Sequence, residues 1–282
     1  MAFVFTVYPP SPDLRPFVHS YVGFAPLGPD AAAPGRLTDD GGQAFPLAAG
    51  DPMIDRLIPS VCVCLGYNLG DPFALDRGDR VVPFKERAHV VGPITRPGRM
   101  LLPDRAESFG VSFQPGWAQH FLGTPIDKLT DQFLALEHFW GAAARALEER
   151  LLAAPTAGER IRLLETELRR RLEAAPPPDR IVPAIADSVF RRRGATTVER
   201  LSAASGFTRQ HLARKFRSGL GVSPKLFCRL VRFHYTLTRA LIAPPDNWAA
   251  AALELGYYDQ AHLIAEFKEF TGCTPTGFAS LR

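Results

Sequence analysis

The last third of this chain says one thing twice, and that duplication restricts the fold more than any other feature. Gly206-Phe207 is followed by Leu212, Phe216, Gly221, Pro224 and Phe227, and Gly256-Tyr257 is followed by Leu263, Phe267, Gly272, Pro275 and Phe278. The offset is 50 residues up to the glycine and 51 after it, so the second copy carries one extra residue past its glycine. Self-similarity at seven matched positions signals one supersecondary unit used twice.

Each copy makes physical sense by itself. Val198 to Ala204 is short and apolar at helical spacing, and Ser205-Gly206 ends it with a residue that tolerates a left-handed turn. Thr208 then offers a hydroxyl N-cap to a second helix, in which Leu212 and Phe216, four apart, share one face. Arg209, Gln210, Ala213, Arg214 and Arg217 are left outside. Ala249 to Leu255, a turn at Gly256 and Asp259 to Phe270 repeat the plan, and Pro224 to Ile242 bridges the two. Two short helices around a glycine turn, the second polar and basic outside, describe a helix-turn-helix.

The charge agrees. Residues 180–282 hold 15 Lys and Arg against 7 Asp and Glu, a net +8, while residues 1–179 hold 18 against 22, a net −4. A basic module on an acidic one assigns phosphate contact to the C-terminal part. Four cysteines without framework spacing suit a reducing compartment, and the lack of an export signal or a long apolar run points to the cytoplasm and away from membranes.

Ahead of this module, short apolar runs recur between turn signals. Phe3 to Tyr8 and Leu14 to Phe24 open the chain, and residues 28–50, rich in Gly, Pro, Ala and Asp, read as an irregular loop. The runs Leu57–Tyr67, Phe73–Leu75, Arg80–Phe84, His89–Val91, Arg99–Leu102 and Phe109–Phe113 predict an antiparallel barrel or sandwich. The pattern then turns helical: Trp117 to Phe121, Leu129 to Leu152, and an amphipathic helix over 159–174 with Ile161, Leu164, Leu168 and Leu172 on one face. That face suits either packing on the sheet or a homodimer seam. Pro176-Pro-Pro178 closes the unit. The expected fold class is α+β in two domains: 1–175, an antiparallel sheet unit with trailing helices that senses a ligand, and 176–282, an all-α tandem helix-turn-helix.

The C-terminal region resembles the DNA-binding domain of the AraC/XylS-type transcription regulators. The resemblance rests on Leu201, Gly206-Phe207-Thr208, Leu212 to Phe216, Gly221-Val222-Ser223-Pro224, Arg232, Gly256 to His262, Phe267 and Gly272 to Pro275. It implies that both recognition helices enter successive major-groove faces of double-stranded DNA, about 34 Å apart. Carried over position by position, it implies DNA contact by Arg209, Gln210, His211, Ala213 and Arg214 in the first unit and by Gln260, Ala261 and His262 in the second. Arg214 is the strongest candidate, since arginine pairs with guanine O6 and N7. The second unit departs from the pattern: Ala265 replaces the expected arginine and Glu266 follows, either a reader of cytosine or a helix-surface charge. Arg232 suits a salt bridge as well as DNA, and Arg191-Arg192-Arg193 reads as a solvated helix end or a phosphate contact.

Leu57-Ile-Pro, Asn68 to Phe73, Val91 to Pro97, Gly110 to Gly116 and Leu129-Thr-Asp131 resemble a sensor-type domain found fused to such modules. A small-molecule effector, RNA polymerase and a second copy are the further partners, and no cofactor is called for. Cys62 and Cys64, two apart in an apolar strand, leave open an alternative: a metal- or thiol-dependent sensor or enzyme delivered to DNA. Against an enzyme stand seven histidines that never pair at ligand spacing, and the lack of a nucleophile elbow or phosphate loop. Trp117, Phe121, Phe133, Phe139 and Trp140 offer an aromatic pocket or simply core.

Overall fold

The computed structural model describes residues 2–27, 43–47, 51, 56–84 and 86–281. Eleven strands are described: β1 Phe3–Tyr8, β2 Val18–Pro26, β3 Gln43–Leu47, β4 Arg56–Leu57, β5 Cys64–Asn68, β6 Ala74–Asp76, β7 Val81–Pro83, β8 Ala88–Val91, β9 Gly98–Leu101, β10 Ser108–Phe113 and β11 Phe133–Ala135. They form two open antiparallel sheets, one ordered β11-β8-β5-β10-β2-β1-β3 and one β4-β9-β6-β7. Three expectations change. The Leu57–Tyr67 run divides between the sheets, so Cys62 lies just ahead of the strand that Cys64 begins. Residues 43–47, inside the expected loop, pair with β1, whereas the loop reading of 28–42 and 48–50 lies outside the described residues. Within the expected helical stretch Leu129 to Leu152, Phe133–Ala135 pairs with β8.

Alternation decides what each sheet face does. Leu65, Tyr67, Phe109, Val111 and Tyr21 point one way and are buried. Against them pack α1 Ala118–Leu122, a 3-10 turn Ile126–Leu129, α2 Glu137–Trp140, α3 Ala142–Ala153 and α4 Ala157–Ala174. In α4 Thr156 caps the N-terminus by accepting from Glu159 N at 3.2 Å, and Leu164 and Leu168 are fully buried. Ile161, Leu164, Leu168 and Leu172 all join the sheet–helix core, so the face offered to a dimer seam is consumed within the chain. Buried Glu165 accepts from Ser11 N at 2.9 Å and from Arg169 at 2.9 Å, pinning α4 to the β1–β2 turn. Of the aromatic candidates, Phe121 and Trp140 are buried in this core, with Phe139 packed on it.

On the opposite face of the seven-stranded sheet His89, 5% exposed, packs edge-on against the paired rings of Phe73 and Phe84 at 5.9 and 5.3 Å. Burial lowers its pKa from 6.5 to about 4. The neutral form is therefore the folded form. Below pH 6.5 the unfolded chain takes up a proton that the folded chain refuses, and stability falls as pH drops towards 4. The full loss from His89 is roughly 3 kcal/mol. Denaturant midpoints at pH 7 and 4.5 check this: a His89→Leu chain loses less stability on acidification than the wild type.

The rest is helical: α5 Ile181–Arg191, α6 Val198–Ser205, α7 Arg209–Leu220, α8 Pro224–Ile242, α9 Trp248–Glu254, α10 Gln260–Thr271 and α11 Pro275–Ala279. The repeat is visible in its caps. Thr208 Oγ1 accepts from His211 N at 3.2 Å ahead of α7, and Asp259 Oδ1 from His262 N at 2.7 Å ahead of α10. Both helices end on left-handed glycines, Gly221 at φ 73° and Gly272 at φ 80°. Phe216, Phe227, Phe233, Phe267, Phe270 and Phe278 fill the core around α8. Residues 175–180, which hold the proline run, are tied to α7 by Lys215 Nζ donating to Asp179 Oδ2 at 2.6 Å.

The 3-10 turn and β4 grip both helical units at the same corner of the repeat. Thr130 Oγ1 donates to Gly221 O at 2.7 Å, and Arg56 Nη1 donates to Thr271 O, one residue before Gly272. Between these points His234 of α8 donates from Nε2 to Pro59 O at 2.8 Å, and Val61 enters the helical core. The N-terminal region thus acts as a bracket across the C-terminal ends of α7 and α10.

Candidate nucleic-acid interface

Because the bracket holds the C-terminal ends, the N-terminal halves of α7 and α10 face outward. On α7 Arg209, Gln210 and Arg214 are exposed, and His211 and Ala213 half-buried. Arg209 lies 3.4 Å from Glu199 of α6, an ion pair exposed on both sides and worth little in water. His211 packs on the Phe207 ring at 4.5 Å, and its Nδ1 lies 3.2 Å from an Arg214 nitrogen. These two contacts leave the Arg214 guanidinium exposed on the same edge as Gln210.

On α10 Gln260, Ala261, His262 and Ala265 are all exposed. His262 closes the turn, its Nδ1 accepting from Tyr258 N at 3.4 Å and its ring edge-on to Tyr257 at 5.3 Å. Glu266 reads no cytosine: it is 3% exposed and faces inward. Its carboxylate accepts from Arg229 Nε at 2.7 Å and from Arg232 Nη2 at 2.9 Å on the bridging helix. Arg232 also lies 4.5 Å over the Tyr257 ring, so both arginines fix the angle between α8 and α10. The salt-bridge reading of Arg232 is the one the structure gives.

Sequence reasoning passed over Tyr258, which is 85% exposed at the entrance to α10. The signal was available: with Thr208 and Asp259 as matching caps, Tyr258 is the extra residue of the second copy. Between the units lies a cleft of about 680 Å³ walled by Thr197, Lys225 and Arg229 on one side and His262 and Ala265 on the other. The Arg191-Arg192-Arg193 end is exposed, with Arg191 paired to Asp187. Cys62 and Cys64 point away from thiolate chemistry, because burial raises both thiols, Cys64 to about 12.

Two helix-turn-helix units on one bridging helix, each with a polar edge free, make up the C-terminal module. Residues 201–280 match the family model described as a helix-turn-helix domain, of the AraC type, and the C-terminal region of this chain is such a domain. Residues 6–135 match a domain of unknown function, DUF6597. No curated protein sequence matches the chain. Among solved structures, ToxT from Vibrio cholerae O395 is 12% identical, with 81% of this chain and 94% of that one covered at a TM-score of 0.45. ToxT from Vibrio cholerae strain SCE256 with an unsaturated fatty acid bound is 10% identical, covering 80% and 93% at 0.45. The AraC-like transcriptional activator CuxR is 15% identical, covering 84% and 78% at 0.24. No described helix is long and apolar enough to cross a membrane.

Proposed function

We propose that this chain is a sequence-specific cytoplasmic regulator of transcription. Residues 176–282 grip one face of a duplex with the N-terminal halves of α7 and α10, and residues 1–175 adjust that grip in response to a small molecule. The observation that carries the reading is the exposure of Arg209, Gln210 and Arg214 on one unit and Gln260, Ala261 and His262 on its copy, while the opposite ends of both helices are held. Arginine and glutamine with free ends on a helix edge are the groups that read guanine and adenine in the major groove. With Ala265 in place of an arginine, α10 contributes less base reading and more positioning on the backbone. RNA polymerase and a second copy of the chain are the remaining partners of this reading.

Fluorescence anisotropy on duplexes from the upstream region of its own gene, titrated with salt, tests the proposal. Specific affinity falls steeply with salt as counterions are released. Arg214→Ala lowers specific affinity by about 1–3 kcal/mol and relaxes one position of the site, while binding to random DNA changes little. Equal affinity for random sequence, or no dependence on salt, sinks the reading.

A further inference from the structure

The outer face of the four-stranded sheet carries charges that the fold leaves unbalanced. Arg56 of β4 lies directly opposite Arg99 of β9, and Arg99 lies opposite Asp76 of β6, so all three share one face. Like charges facing each other across neighbouring strands destabilise a sheet. Asp76, whose Oδ1 accepts from Gly78 N at 2.8 Å, offsets one of the two guanidiniums and leaves the face net positive. Arg77, next along the chain, also borders this region but turns its guanidinium to the β11 side, Nη2 donating to Asp131 O at 2.7 Å and the group lying 5.9 Å over the Phe133 ring. Among the described residues none of the three arginines has a carboxylate within ion-pair distance.

These arginines and Asp76 line a cleft of about 490 Å³ with Ile58 and Leu281 as apolar wall, and the Thr271–Gly272 corner of α10 closes it. Arg56 therefore serves two sides, the cleft and the Thr271 carbonyl. Guanidinium forks match carboxylate and phosphate oxygens in geometry and charge. The free carbonyls at the end of α10 carry the negative end of the helix dipole. An anion in the cleft repels that end and competes with Thr271 O for the same guanidinium.

We infer that this cleft is the effector site, and that its ligand is an oxyanion, carboxylate or phosphate, on a small, partly apolar body. Filling it draws Arg56 from Thr271 and frees the α10 corner of the bracket, leaving the Thr130–Gly221 corner in place. The coupling half of this inference rests on the regulator reading above, whereas the binding half stands apart from it.

Calorimetric titration of the full chain without DNA, at matched ionic strength in chloride, uses inorganic phosphate, acetate and hexanoate as probes. Saturable binding of one or more is expected, with hexanoate above acetate if the ligand is a carboxylate on an apolar body and phosphate foremost if it is a phosphate ester. Arg99→Gln, an exposed strand position, weakens the best probe by about tenfold or more, and Arg99→Lys, which keeps the charge and loses the fork, falls between. No saturable binding, or equal binding by an Arg99→Gln chain with wild-type circular dichroism, overturns the site. The second arm measures anisotropy on the specific duplex with and without the best probe, the Arg99→Gln chain serving as control. A shift of DNA affinity in the wild type that vanishes in the variant supports the coupling, since linkage must be reciprocal. DNA affinity that ignores a bound anion overturns the coupling, and a chain that binds no specific duplex overturns the regulator reading, with the calorimetry already deciding the site.

Discussion

Replacing Glu266 with alanine lowers the stability of the helical module by about 3–5 kcal/mol, as expected when one partner of a buried ion pair is removed. The carboxylate is 3% exposed and is the shared counter-charge of Arg229 and Arg232, whose side chains are 26% and 12% exposed. Without it two guanidiniums stay half-buried and close together. Arg229 retains exposed Glu269 at 2.6 Å, while among the described residues Arg232 retains only the Tyr257 ring as an electrostatic partner. Chemical denaturation of Glu266→Ala checks the loss. The combined replacement Glu266→Leu, Arg229→Met and Arg232→Met recovers most of it, because an apolar set of similar volume carries no desolvation cost. A Glu266→Ala chain as stable as the wild type shows that solvent reaches the cluster. Specific DNA affinity falls alongside, since the same cluster sets the pose of α10 against α8.

Gly194→Ala is the second large effect, about 2–5 kcal/mol, and its cause is steric. Gly194 lies between α5 and α6 at φ 75°, a backbone conformation that costs an alanine about 1–2 kcal/mol. A Cβ there would sit 2.3 Å from Cys228 O and 2.6 Å from Arg232 N, both backbone atoms of α8 that cannot swing aside. Forcing an overpacked contact adds about 1–3 kcal/mol. Gly206 supplies the control: its φ is 71°, yet an added Cβ meets nothing within 4 Å. Gly206→Ala therefore shows the backbone cost alone, and the difference between the two melting curves isolates the contact with the bridging helix. Equal losses for both substitutions remove the steric explanation.

Much of the helical module was legible in the sequence because its signals are local. Caps at Thr208 and Asp259, glycines at Gly221 and Gly272, proline at the first turn of α8 and apolar spacing within one turn lie within a few residues of what they specify. The same holds for most strand positions, since alternation and turn residues mark them. Phe133–Ala135 escaped because three residues carry too little periodicity to show a period of two, and pairing with β8 makes the strand. The Leu57–Tyr67 run read as one strand because nothing local says that its ends belong to different sheets.

What the sequence alone determined is therefore the duplicated unit, the bounds of its helices to within a residue or so, and most of the residues on their outer edges, Glu266 excepted. Tertiary structure alone decided that Glu266 turns inward to arginines 34 and 37 residues away, and that Arg56 reaches Thr271 across 215 residues. Helix ends and faces follow from hydrogen bonds and sterics between near neighbours, which any window of the chain displays. The partner of a buried charge depends on which distant elements pack against it, and only the folded chain fixes that.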